Sequence, residues 1–257
     1  MSEMSRRKVA LVTGSGKRRV GSVVAETLAG RGYSLVAHYF QSTEDAAETV
    51  DRLRSHGVEA SAIQADLSRE SEVERLVHQA TELHGRIDVL VNTAAIWSPK
   101  PLEQVTGADV RRHFEINTLG TFLCSQLVGL LMVRQPEGGC IITVADWAIE
   151  RPYLNYAAYF TSKGAIPTLT RTLAVELGSR NPRVRVNCIL PGPVMLPADM
   201  PQAERDVVIK STLVKREGHP HHVAQAVLFF VENDFVTGAC VPVDGGRRLV
   251  SDQSPTP

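Results

Sequence analysis

Residues 9–22 read VALVTGSGKRRVGS. A short apolar run ends in a glycine-rich turn, and the helical pattern VVAETLAG follows. Strand, glycine turn, helix is the order in which backbone comes close to a pyrophosphate and a helix N-terminus faces it. The glycines are Gly14, Gly16 and Gly21, and four residues separate the last two, so the spacing is not G-x-G-x-x-G. The motif gains weight from its place after the first strand of an alternating pattern. Downstream, SLVAHY, ASAIQAD, DVLVNTA, CIITVAD, VRVNCIL and CVPVDGG are further Val- and Ile-rich runs. Segments of helical period, such as EDAAETVDRLRSHG and SEVERLVHQATELHG, lie between them. Near-continuous apolar strands suit a parallel sheet covered on both faces. The alternation predicts an α/β fold: a doubly wound parallel sheet of about seven strands with helices on both faces.

The 257 residues fit one domain, 1–257, with a frayed tail at 251–257 (SDQSPTP). Lysine plus arginine balances aspartate plus glutamate, 28 against 28, which argues against nucleic acid or an acidic membrane as the main partner. Cys124, Cys140, Cys188 and Cys240 form no Cys-x-x-Cys and read as free thiols. No apolar run is expected to reach the ~20 residues of a membrane span. The start, MSEMSRRKVALVTG, runs straight into the glycine loop and reads as a first strand rather than a leader. The protein is expected to be cytoplasmic.

YFTSK places Tyr159 and Lys163 four apart on a helical segment, on one face. An ammonium near a phenol favours the phenolate, so a lowered Tyr159 pKa is expected, suited to general acid–base work. Asp146 lies thirteen residues before Tyr159; an aspartate after a strand end also caps helices. At the end of the second strand, AHYFQS offers His38, Gln41 and Ser42 and no carboxylate before Glu44, while Lys17, Arg18 and Arg19 crowd the loop. Cations without an opposing carboxylate favour a 2′-phosphate, hence NADPH.

These residues, with ADLS at Asp66, VNTAA at Asn92, EINTLG at Asn117, LPG at Pro191/Gly192 and TGACVPVDGG, resemble the short-chain dehydrogenase/reductase family over nearly the whole chain. The resemblance implies nicotinamide hydride transfer, with Tyr159 as general acid, Lys163 tuning it and holding the nicotinamide ribose, and Asn117 supporting a water-linked proton path. It also implies that Asp66 and Leu67 contact adenine, that Asn92 and Ala94 line the cofactor, and that Gly192 lets the chain pass near the nicotinamide. A homotetramer packed through the middle helices and the last strand is implied as well.

Two departures are similar to the pteridine reductase subgroup. Asp146 stands where the family has serine, and an arginine stands near the middle glycine of the loop. Alignment from Thr13 puts Arg18 there and alignment from Gly21 puts Arg19, which is favoured because Gly21 must start the helix. The subgroup's phosphate-binding arginine falls at Gln41, so the NADPH preference is expected either to be weaker or to rest on Lys17 and His38. Trp97 falls where that subgroup stacks an aromatic ring on a pterin; closure of the core is its other reading. The expected function is NADPH-dependent reduction of a dihydropterin or dihydrofolate C=N bond, with Tyr159 and Asp146 supplying the proton and Arg19 and Trp97 touching the substrate. The alternatives are a carbonyl reductase for a sugar, steroid or 3-oxoacyl substrate, and a non-catalytic dinucleotide-binding regulator. His219, His221 and His222 lack a matched ligand spacing and read as residues of a helix start rather than a metal site. The stretch MLPADMPQAERDVVIKSTLVK reads as a mobile lid.

Overall fold

A computed structural model describes residues 7–250. Seven parallel strands form one sheet in the order β3-β2-β1-β4-β5-β6-β7. They are β1 Val9–Thr13, β2 Ser34–Tyr39, β3 Ala60–Gln64, β4 Val89–Asn92, β5 Gly139–Val144, β6 Val184–Pro191 and β7 Cys240–Val243. Each predicted run supplies one strand. Alternation along a strand divides its side chains between two faces. Ala10 and Val12 of β1 enter the core under helices α1 (Val20–Ala29), α2 (Thr43–Arg54) and α9 (Pro220–Glu232). Val9 and Leu11 enter the opposite core, under α3 (Glu70–His84), α5 (Gly120–Arg134) and α7 (Ile166–Gly178).

Strand order reverses between β1 and β4, and in an open parallel sheet the crevice beyond the strand ends at that point is the ligand site. The chain is drawn tight there: Gly14 has φ +66°, and a Cβ added to it would lie 2.7 Å from Ala94 Cα. A Cβ on Gly21 would lie 2.8 Å from Gly14 O, so the start of α1 can sit against the loop only as glycine.

Two expectations change. The uncharged stretch 116–133 belongs to a helical run, Gly107–Arg134, that is long and apolar enough by composition to cross a membrane. Half of its apolar window is buried inside the molecule, where Leu123, Cys124, Val128 and Met132 pack on the sheet as a core helix. The run comprises α4 (Gly107–His113), a π-helical turn Phe114–Leu119 and α5. The lid stretch contains α8 (Gln202–Lys210), which buries no residue. Its approach is nevertheless tied down: Glu217 accepts from Leu196 N at 3.2 Å and pairs with Arg205 at 2.6 Å. The tail 251–257 lies outside the described residues.

Candidate active site

Asp146 follows β5 directly, and its two oxygens have separate tasks. Oδ1 accepts from Ala148 N at 2.8 Å and caps a short 3-10 turn, Trp147–Ile149. Oδ2 accepts from Tyr159 OH at 2.8 Å. The capping role and the site role therefore coexist. Tyr159 and Lys163 lie on α6 (Ala157–Gly164) and are both buried. Lys163 Nζ donates to Val144 O at 2.7 Å.

The expected lowering of the Tyr159 pKa is not what this arrangement gives. Burial, and then the Asp146 carboxylate with its hydrogen bond, push Tyr159 well above the usual phenol range. Burial also raises Asp146, against the Ala148 N–H, the Tyr159 hydroxyl and the charges of Lys163 and Arg247. Lys163 is brought down to about 8 by burial, with Asp146 and Cys188 acting in the other direction. The pair thus rests as a phenol donating to a carboxylate, beside an ammonium close to its own titration.

A cavity of about 570 Å³ at the strand ends gathers Gly14, Arg19, Gly21, His38, Gln41, Asp66, Leu67, Ala94, Trp97, Asp146, Tyr159, Lys163, Pro191 and Gly192. Gly16, Lys17, Arg18, Ser42, Asn92 and Asn117 are not among its lining residues. Of the three loop cations, Arg19 is the one that lines it, at the N-cap of α1, which begins at Val20. Trp97 is 47% exposed, so it does not close the core. One face of its indole stacks on Tyr156, with centroids 5.0 Å apart and planes at 13°. Tyr153 and Phe160 continue this aromatic wall.

Two expected cofactor and relay residues, Asn92 and Asn117, lie off the cavity wall, and His38 lines it with its ring nitrogens engaged. The Asn92 side chain is buried and donates to Ser125 Oγ at 3.0 Å, so it fixes the strand end while Thr93 and Ala94 face the cavity. Asn117 sits in the π-helical turn, a distortion frequent at functional sites. Its amide accepts from Ile96 N at 2.8 Å and donates to Ile96 O and Ser162 Oγ, and thereby orients the segment that carries Trp97. His38 is 3% exposed with both ring nitrogens engaged within the protein, so it is not a free cation for a 2′-phosphate. Phe40, Thr93, Arg112 and Ile116 also line the cavity without having been singled out in the sequence, as does Met195 at the start of the expected lid. Thr93 and Ile116 lie inside the motifs VNTAA and EINTLG, and Arg112 precedes Ile116 by four, one helical turn.

The site fits a dinucleotide. The first turn of α1 has no acidic residue to oppose a phosphate at the helix N-terminus, and Arg19 stands at its cap. At the start of the late helix, His219 Nδ1 accepts from His221 N, and His219 N donates to His222 Nδ1, so two of the three histidines cap α9.

A family model described as enoyl-(acyl carrier protein) reductase matches residues 15–248. The 7alpha-hydroxysteroid dehydrogenase of Escherichia coli K12 is 34% identical over 93% of this chain and 93% of its own. Acetoin dehydrogenase from Enterobacter cloacae superimposes with a TM-score of 0.88 at 29% identity, covering 98% of this chain and 100% of that one. A blue fluorescent protein from a metagenomic library, solved with NADPH, gives a TM-score of 0.85 at 33% identity, over 93% and 97% of the two chains.

Proposed function

The chain belongs to the short-chain dehydrogenase/reductase family, and on that premise we propose that it is an NADPH-dependent reductase acting on the C=N bond of a dihydropterin or dihydrofolate. The observation that carries this reading is the 2.8 Å bond from Tyr159 OH to Asp146. An ionised carboxylate accepts hydrogen bonds and cannot donate them. Beside a ketone oxygen gathering negative charge it is repulsive. Beside the ring N–H and amino donors of a pterin it is a partner.

When bound, the reduced nicotinamide supplies the hydride. The Tyr159 hydroxyl turns from Asp146 to give its proton to the ring nitrogen, so one C–H and one N–H bond form, the π bond of the C=N group is lost and the C–N single bond remains. Asp146 holds the heterocycle through its donors, and protonated Lys163 steadies the phenolate left behind. Trp97 offers its free face to the flat ring, and Arg19 anchors the ring's polar edge beside the cofactor phosphates. Arg19 in the cavity, with no carboxylate between the end of β2 and Glu44, supports NADPH over NADH, as does the NADPH held by the metagenomic relative.

A carbonyl substrate is the second reading, and the comparisons favour it: the two relatives named above for a substrate are named for a hydroxysteroid and for acetoin, and neither for a pterin. Burial raises Asp146 above the usual carboxylate range, the direction that a hydrogen bond donated to a ketone would need. NADPH oxidation against dihydrobiopterin, dihydrofolate and a set of ketones separates the two. Turnover confined to the pterins supports the first reading, turnover confined to ketones supports the second, and tight NADPH binding without turnover supports a regulator. A homotetramer belongs to the same proposal and is checked by light scattering.

A further inference from the structure

We propose that His38 is a positioning residue: its neutral imidazole presets the glycine loop for the dinucleotide. The inference rests on the cavity being a dinucleotide site. Nδ1 accepts from Gly14 N at 3.0 Å, and Nε2 lies 3.0 Å from Ala65 O. An imidazole that accepts at Nδ1 must carry its proton at Nε2, and that proton points at the carbonyl, so the two contacts fix one tautomer. The backbone oxygen of the same residue accepts from Ser15 N at 3.1 Å and from Gly16 N at 3.2 Å. One residue thus engages the N–H groups of three consecutive loop residues.

The site favours the neutral ring. His38 is 3% exposed, and burial brings its pKa down to about 4, against the Ala65 carbonyl and Asp66, which raise it. At neutral pH the acceptor is therefore present. The clamp joins the two ends of the cofactor crevice, because Gly14 touches Ala94 beside β4 while Ala65 precedes Asp66 on the adenine side. Gly14 N would otherwise be a donor competing for water or for the ligand, and a loop free to move would have to be ordered on binding.

Replacements at position 38 separate the two bonds. In His38→Asn the amide oxygen falls near the place of Nδ1 and keeps the Gly14 bond. In His38→Gln the amide nitrogen falls near the place of Nε2 and keeps only the Ala65 bond, and His38→Leu keeps neither. The Kd for NADPH, read by fluorescence, is expected to rise about tenfold or more in the Gln and Leu variants and less in Asn. KM for NADPH should follow, with kcat changing far less. Equal binding by all three folded variants overturns the proposal. Should the variants fail to fold, the imidazole ¹⁵N shifts of the wild type decide at pH 7: an unprotonated Nδ1 accepting a hydrogen bond supports the clamp, and an Nδ1–H tautomer or a doubly protonated ring overturns it. Failure of wild-type protein to bind NADPH or NADH would instead sink the dinucleotide reading, and the ¹⁵N shifts would still report on the clamp.

Discussion

Burial and the Asp146 carboxylate hold the proton on Tyr159, and in the proposed reaction a substrate replaces the carboxylate as its acceptor. Tyr159→Phe removes that proton and leaves the ring packing intact. Its kcat is expected to fall by about 10²–10⁴-fold while NADPH affinity stays near wild type, measured by stopped-flow reduction and by fluorescence titration. On the proposed mechanism, Lys163 is expected to set the alkaline side of the rate profile. Its charge is present below about 8 and is lost as pH rises through that value, so kcat should decline above pH 8. A profile flat to pH 10 would mean that the ammonium plays no part in the chemistry. Asp146 was legible in the sequence because the thirteen-residue offset from Tyr159 survives folding. The bond between them was legible only as an expectation of proximity, and its effect on the phenol had the opposite sign. The lowering assumed that lysine was the nearest charge, whereas Lys163 points to Val144 O and the carboxylate is the closer partner. His38 was misjudged for a related reason: its partners Gly14 and Ala65 come from other strand ends, and no spacing along the chain records them.

Among elements, the glycine loop and the start of α1 carry the tightest requirement. Gly14→Ala combines a left-handed φ, costing about 1–2 kcal/mol, with a Cβ 2.7 Å from Ala94 Cα. The loop must shift outward, so lower thermal stability and weaker NADPH binding are expected together. A variant with wild-type Tm and Kd would show that the loop has slack. All seven strands were readable, since continuous Val/Ile runs bounded by turns have few other folds to join. The π-helical turn at Phe114–Leu119 was not, because nothing in EINTLG distinguishes an i→i+5 bond from an α-helical one. The length of the apolar stretch was also missed: polar Asn117 and Thr118 interrupt the pattern to the eye, while no charge interrupts residues 116–133.

Over the whole molecule, parallel strands bring residues from the ends of β1, β4, β5 and β6 into one crevice, and the buried lysine there has a stability cost. Lys163 titrates near 8 in the folded state and near ~10.4 when unfolded. Between those values the unfolded chain binds a proton that the folded one lacks, so this group's contribution to stability rises with pH across that window. Below pH 8 both states are protonated and the burial cost is fully present. Denaturant titrations of wild type and Lys163→Met should therefore show wild type gaining on the variant from pH 8 to pH 10; a constant difference would mean that Lys163 is not buried as a titrating group. The sheet that creates this site was readable from the alternation of elements, but which charges it opposes was not, because that depends on how far each side chain reaches into the crevice. The most direct test of the account is the ratio of kcat/KM for dihydrobiopterin to that for a ketone, compared between wild type and Asp146→Ser. The account predicts a ratio well above one in the wild type that collapses in the serine variant, with pterin turnover falling by about a hundredfold. A ketone-active wild type, silent on pterins and unimpaired by serine, would contradict it.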